Sequence, residues 1–182
     1  MKQVLLVSGH LAALKSTLSK KLSVDLNAIC LNKDDMKEVL GDTIGFTNRE
    51  ENLKLSKATF QMMLKVMLDI LKIDDLVILE SNFKVSEMNQ LNQVIEEHKI
   101  RSSTVFLTGE AEVLYERYIK RQPERHPVHT STGLISFEDF KASMESFDQA
   151  VYGGSFILFD TTVMNDELYQ VLLNNIKNLL KG

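Results

Sequence analysis

Five short apolar runs, each of strand length, constrain this chain more than any other feature. They are Val4-Leu5-Leu6-Val7, Ala28-Ile29-Cys30-Leu31, Leu76-Val77-Ile78-Leu79, Thr104-Val105-Phe106-Leu107 and Phe156-Ile157-Leu158-Phe159. Between them apolar residues recur at helical spacing, as at Leu64, Met67 and Leu71, at Leu91, Val94 and Ile95, and at Leu168, Val171, Leu172, Ile176 and Leu179. Continuous apolar runs suit strands covered on both faces, and helices between such strands supply crossovers. The expected fold is α/β: a doubly wound, mainly parallel five-stranded sheet with helices on both faces. Asn48 stands three residues before Glu51, and Ser136 three before Asp139, a capping-box spacing that marks two helix starts.

The 182 residues, 44% apolar and 25% charged, suit one globular unit spanning 1–182. Lys and Arg number 21 against 25 Asp and Glu, a formal charge of −4, which argues against long nucleic acid as a partner. No stretch approaches the roughly 18 apolar residues of a membrane span. The most apolar helical segment, Phe60 to Leu71, is interrupted by Gln61, Lys65 and Asp69. The first apolar run turns polar at Ser8, too early for a signal peptide, and the single cysteine, Cys30, has no partner for a disulfide. The expectation is a cytoplasmic protein in which Cys30 is a small buried hydrophobe.

In open parallel sheets ligands gather at the carboxyl ends of the strands, so the strand tips are where chemistry is sought. The first tip reads Gly9-His10-Leu11-Ala12-Ala13-Leu14-Lys15-Ser16-Thr17, close to the phosphate-binding pattern G-x-x-x-x-G-K-[ST]. In that motif backbone N–H groups curl round a phosphate, the lysine neutralises its oxygens, and the hydroxyl holds Mg2+. Leu14 stands where the second glycine belongs, so the loop is expected to be strained or reshaped: a side chain in the left-handed region costs roughly 1–2 kcal/mol. The plain alternative is a strand followed by a helix that happens to begin Lys-Ser-Thr.

The second tip supplies Asp34, a candidate general base for an acceptor hydroxyl; taken alone it reads better as a cap of the helix running to Leu40. The third supplies Glu80, placed to hold a metal through water, or to make only a local hydrogen bond. After the fourth strand, Arg117 and Arg121 share a helical face before Pro123 ends the helix. Arg125-His126-Pro127-Val128-His129 then opens a polar stretch, and the segment at about 122–135 is read as a lid. Guanidinium groups suit a transferring phosphoryl group because each is a fixed, always charged fork, although a solvated face pairing with Glu112 or Glu116 is the simpler account of Arg117 and Arg121. Without enough soft ligands for zinc, His126 and His129 are read as lid contacts or substrate hydrogen bonds. Asp160-Thr161-Thr162 at the fifth tip contacts a base or simply closes the strand.

Taken together, Gly9 with Lys15-Ser16-Thr17, Asp34-x-Met36-Lys37, Glu80, Arg117 and Arg121, Arg125-His126-Pro127-x-His129 and Asp160-Thr161-Thr162 resemble the small P-loop kinases that include zeta toxins, chloramphenicol phosphotransferase and polynucleotide kinases. The resemblance covers nearly the whole chain and implies transfer of the ATP γ-phosphate, with Mg2+, to a hydroxyl of a small acceptor. It implies that Lys15 and the loop from Gly9 to Thr17, with Arg117, bind the nucleotide, and that Ser16 and Glu80 serve the metal. Asp34 would then be the base, with Lys15, Arg121 and Arg125 stabilising the transferring group. The alternative is a non-catalytic nucleotide- or metabolite-binding protein of the same fold, impaired in ATP binding by Leu14. Met62, Met63 and Met67, in the helical insertion between Asn48 and Lys72, are read as core filler before pocket lining.

Overall fold

The computed structural model describes residues 1–129 and 133–181. Its strands are β1 (Gln3–Gly9), β2 (Ile29–Asn32), β3 (Leu76–Glu80), β4 (Arg101–Thr108) and β5 (Ser155–Asp160). Its helices are α1 (Lys15–Asp25), α2 (Lys33–Ile44), α3 (Arg49–Ile70), α4 (Val85–Glu97), α5 (Ala111–Lys120), α6 (Phe137–Glu145) and α7 (Asp166–Lys181). The strands form one all-parallel sheet in the order β2-β3-β1-β4-β5. The chain therefore lays strands to one side of β1, then reverses to the other. That reversal leaves a crevice at the carboxyl end of β1, where side chains from both halves can meet.

Two apolar layers hold the sheet. On one face Leu18 and Leu22 of α1, Leu114 and Tyr118 of α5 and Leu172 and Ile176 of α7 pack on Leu5, Val7 and Val105. On the other, Phe60, Met63 and Met67 of α3 and Met88 and Leu91 of α4 pack on Val4, Leu6, Val77 and Leu79. Met63 and Met67 are core filler as expected, whereas Met62 is 47% exposed. Cys30 is partly buried against the first layer, and burial, its largest influence, pushes its thiol up to about 11, so it behaves as an inert hydrophobe. The two-sided cover expected of every run fails at the sheet edges: Ile29 on β2 and Leu158 on β5 are 47% and 58% exposed, because the apolar layers centre on β1, β3 and β4 and cover the edge strands only in part.

The two predicted helix starts are real. Asn48 Oδ1 accepts from Glu51 N at 3.0 Å, and Ser136 Oγ accepts from Asp139 N at 3.1 Å. At the head of α2 the cap is Asn32, not Asp34: Asn32 Oδ1 accepts from the amides of Asp34 at 2.8 Å and Asp35 at 3.1 Å, and the helix continues to Ile44. Asn32 thus frees the Asp34 carboxylate from a capping role.

The segment after α5 folds back over the sheet in two short 3-10 turns, Gln122–Glu124 and Pro127–His129. Val128 is buried, and its carbonyl accepts from Asn52 Nδ2 at 2.9 Å and Lys37 Nζ at 3.4 Å, which docks the second turn on α2 and α3. Further on, Tyr115 donates to the Ile135 carbonyl at 3.1 Å and Ile135 N donates to Tyr118 at 3.2 Å, fastening the approach to α6 onto α5. Residues 130–132 of the predicted lid lie outside the described residues.

One glycine fixes how closely β1 and β4 approach. Gly9 has φ +146°, and a Cβ there would lie 2.2 Å from the Leu107 carbonyl oxygen. Gly9→Ala must either part the two strands or twist the loop, and the expected loss of unfolding free energy is about 3 kcal/mol or more, the upper end of overpacking costs, measured by chemical denaturation.

Candidate functional site

Beyond Gly9 the chain turns over the end of the sheet, with His10 N donating to the Leu107 carbonyl at 2.9 Å and Ala13 N to the His10 carbonyl at 3.2 Å. Ala12 and Leu14 both take left-handed backbone conformations, with φ of 63° and 62°. Leu14 therefore strains the loop and does not reshape it: the conformation a glycine would take is held by leucine, at a cost of roughly 1–2 kcal/mol. Its side chain packs against the apolar layer of α1, α5 and α7, which offsets part of that cost. α1 opens at Lys15, so its first amides and the positive end of its dipole face the loop's concavity. Lys15 Nζ lies inside the loop, donating to the carbonyls of Gly9 at 3.0 Å and His10 at 2.7 Å.

Glu80, at the tip of β3, is only 3% exposed. Its Oε2 accepts from Ser16 Oγ at 3.1 Å and from the Asn32 side-chain amide. Burial pushes this carboxyl up to about 7, while the nearby Lys15 ammonium pulls the other way. Burial likewise brings Lys15 down to about 8, opposed chiefly by Glu80. Each charge thus offsets part of the penalty that burial places on the other.

A cavity of about 290 Å³ collects most of the residues singled out in the sequence: Leu11 to Thr17, Asp34, Glu80, Arg117, Arg121 and Arg125, with Asn82 added. Arg117 donates to the Thr162 carbonyl at 3.0 Å through one terminal nitrogen, while the other is buried without a hydrogen-bond partner among the described residues. Burial, then repulsion from Arg125, lowers the Arg121 guanidinium. Three guanidinium groups and an ammonium around one polar cavity concentrate positive charge there, chemistry suited to an anion. Gly9 and His10, also singled out, face a second cavity on the far side of the loop, which Asn82 borders too.

The histidines of the segment after α5 contact α2. His126 Nε2 lies 2.9 Å from Asp42 Oδ1, and His129 Nε2 lies 3.0 Å from Glu38 Oε1 with its Nδ1 3.9 Å from Asp34 Oδ1. Asp160-Thr161-Thr162 closes the strand: Asp160 caps Thr162 N at 2.7 Å, Thr161 donates to the Thr108 carbonyl at 2.8 Å, and Thr162 Oγ1 accepts from Glu110 N at 2.7 Å. Sequence reasoning missed Asn32, Asn82 and Asn52, and it quoted Lys37 in the Asp34-x-Met36-Lys37 pattern without its anchoring role. Only Asn32 carried a signal, a cap residue directly after a strand.

Residues 4–147 match the family described as AAA domain. The chain belongs to this family. Among solved structures it is similar to a provisionally named kinase of Chloroflexus aurantiacus j-10-fl, at 24% identity and TM-score 0.78, covering 99% of this chain and 96% of that one. A gluconokinase of Sinorhizobium meliloti 1021 aligns at 14% identity and TM-score 0.62, covering 97% and 93%. A shikimate kinase of Bacteroides thetaiotaomicron aligns at 16% identity and TM-score 0.60, covering 99% of each chain. No curated protein matches. The likeness is one of fold, a P-loop fold shared with kinases. No helix among the described residues is long and apolar enough to cross a membrane.

The raised Glu80 gives a pH test. Unfolded, this carboxyl ionises near 4.5, but in the fold only near 7, so its contribution to stability is present below about 4.5 and is lost as pH rises through 7. Glu80→Gln should flatten the decline in unfolding free energy between pH 5 and 7, read by denaturation at both values; an unchanged slope would assign that decline to other groups.

Proposed function

We propose that the chain is an ATP-dependent phosphotransferase that moves the γ-phosphate to a hydroxyl of a small acceptor, within the small P-loop kinases that its sequence resembles. The observation that carries this reading is the convergence of Lys15, Ser16, Asp34, Glu80 and three arginines on one cavity at the mouth of the phosphate-type loop. A buried Arg117 nitrogen without a hydrogen-bond partner among the described residues is a donor suited to a phosphate oxygen.

The residues fit the implied groups. Lys15 and the first amides of α1 would hold the phosphates. Ser16 and Glu80 offer hard oxygen donors of the kind Mg2+ takes, one or two from protein and the rest from phosphate and water, although the described residues hold no cluster of three or more His, Cys, Asp or Glu for a metal. Mg2+ bound there would neutralise charge on the phosphate oxygens.

The acceptor hydroxyl oxygen forms the new O–P bond as the bond from the γ-phosphorus to the β–γ bridging oxygen breaks, and the hydroxyl proton passes to the Asp34 carboxylate. Arg121 and Arg125 would stabilise the charge on the transferring group. His129, between Glu38 and Asp34, would hold the Asp34 carboxylate in place, and the segment at 122–135 would act as the lid over the site. The acceptor is a small hydroxylated molecule, and a cytoplasmic setting suits a supply of ATP.

Lys15→Ala and Asp34→Asn should each lower Mg2+-dependent ADP release at least a hundredfold, in a coupled assay over a panel of hydroxylated acceptors. Retained activity in both variants would sink the reading. Calorimetric titration with ATP, with and without Mg2+, should show binding to the wild type that changes by less than about tenfold in Leu14→Gly, because the native loop already holds the conformation glycine would allow. Binding confined to the glycine variant would instead support a non-catalytic protein of this fold.

A further inference from the structure

The second cavity, of about 200 Å³, lies beside the phosphate-type loop on the α4 side of the sheet. Gly9 and His10 form the wall shared with the loop, Asn82 borders both cavities, and the chain following α6 roofs it through Ser146 and Phe147. Its apolar wall is aromatic. The Phe106 and Phe147 ring centroids are 3.9 Å apart, and the His10 ring stands edge-on to both, at 5.0 and 5.9 Å. Tyr152 and Ser8 satisfy each other across the wall, their hydroxyl oxygens 2.8 Å apart. The Asn82 side-chain amide makes no hydrogen bond among the described residues, which leaves a polar handle at the junction of the two cavities.

The charge distribution is lopsided. Every arginine near the site, and Lys15, lines the other cavity, whereas here the one charged side chain in the lining is Asp148, whose Oδ1 already accepts from Ala150 N at 2.9 Å. Burial, and then the Lys15 charge, brings His10 down to about 4, so its ring is neutral near pH 7. A carboxylate or phosphate group placed against the aromatic wall would give up part of its hydration and find no cation among the lining side chains. A flat apolar ring would stack on the phenyl faces without that penalty.

We propose that this second cavity is the acceptor pocket, and that it takes an uncharged alcohol bearing an aromatic or similarly flat apolar ring, with the hydroxyl directed past Asn82 toward Asp34 and the ring against Phe147. This assignment rests on the phosphotransferase reading above and narrows it: sugar acids and nucleotides are disfavoured as acceptors, because the wall that would hold the acceptor's ring carries no cation in its lining.

The probes are 2-phenylethanol as the neutral aryl alcohol, glycerol as a neutral polyol without a ring, and gluconate as an anionic one. Phosphoryl transfer from Mg2+·ATP is followed by phosphorus NMR, and binding of each probe is followed by ligand-observed NMR without nucleotide. The expected result is kcat/KM for 2-phenylethanol at least tenfold above both other probes. Phe147→Ala should lower it about tenfold, chiefly through KM. Ser146→Arg, on the exposed roof, should raise gluconate use by adding the cation the wall lacks, and it keeps the test open should Phe147→Ala fold poorly. Preference for gluconate by the wild type, or indifference of both variants, overturns the assignment and leaves the phosphotransferase reading intact. Conversely, Phe147-dependent binding of 2-phenylethanol by a chain that binds no nucleotide sustains the pocket's ligand class while the kinase reading falls.

Discussion

Glu80 is a carboxylate shared by three strand tips. It belongs to β3, accepts from Ser16 at the start of α1 beyond β1, and accepts from Asn32 at the end of β2. The same Asn32 caps α2 through its oxygen, so a single pair of polar side chains fixes the start of α2, and with it the position of Asp34, and ties both to the first turn of α1. A buried acid of this kind is costly unless its partners are all in place. Its neighbour Lys15 serves the same end from the loop. Geometry and charge at the crevice are therefore one arrangement.

Around that knot the fold is conventional, and its legibility in the sequence follows from physical scale. Strands buried on both faces announce themselves as unbroken apolar runs, and the β1, β3 and β4 runs lie inside their strands. The edge strands betray the limit of this reading, since Leu158 is as apolar as Leu79 but only a neighbour in space decides that one is exposed and the other buried. Local capping at Asn48 and Ser136 was legible because both partners lie within three residues.

The site was readable where a residue type names its own chemistry, as with Lys15, Ser16, Asp34, Glu80 and the arginines, all of which border one cavity. It was unreadable where the role depends on distant partners. Nothing local links Lys37 and Asn52 to the Val128 carbonyl, separated from them by 91 and 76 positions. Asn82 gains its place only because two cavities happen to meet beside it. His126 and His129 were read as contacts, but their carboxylate partners on α2 could not be named from spacing.

The left-handed turn at Leu14 shifts where the loop's shape is encoded. With glycine, a short peptide carrying β1 and α1 would visit the curled conformation readily by itself, because the backbone alone permits it. With leucine, that conformation is disfavoured in isolation and is held by the packing of the leucine side chain on the apolar layer beneath the loop and by the pairing of β1 with β4. The curl is thus a tertiary property, written less in the backbone of the loop than in the packing that surrounds it.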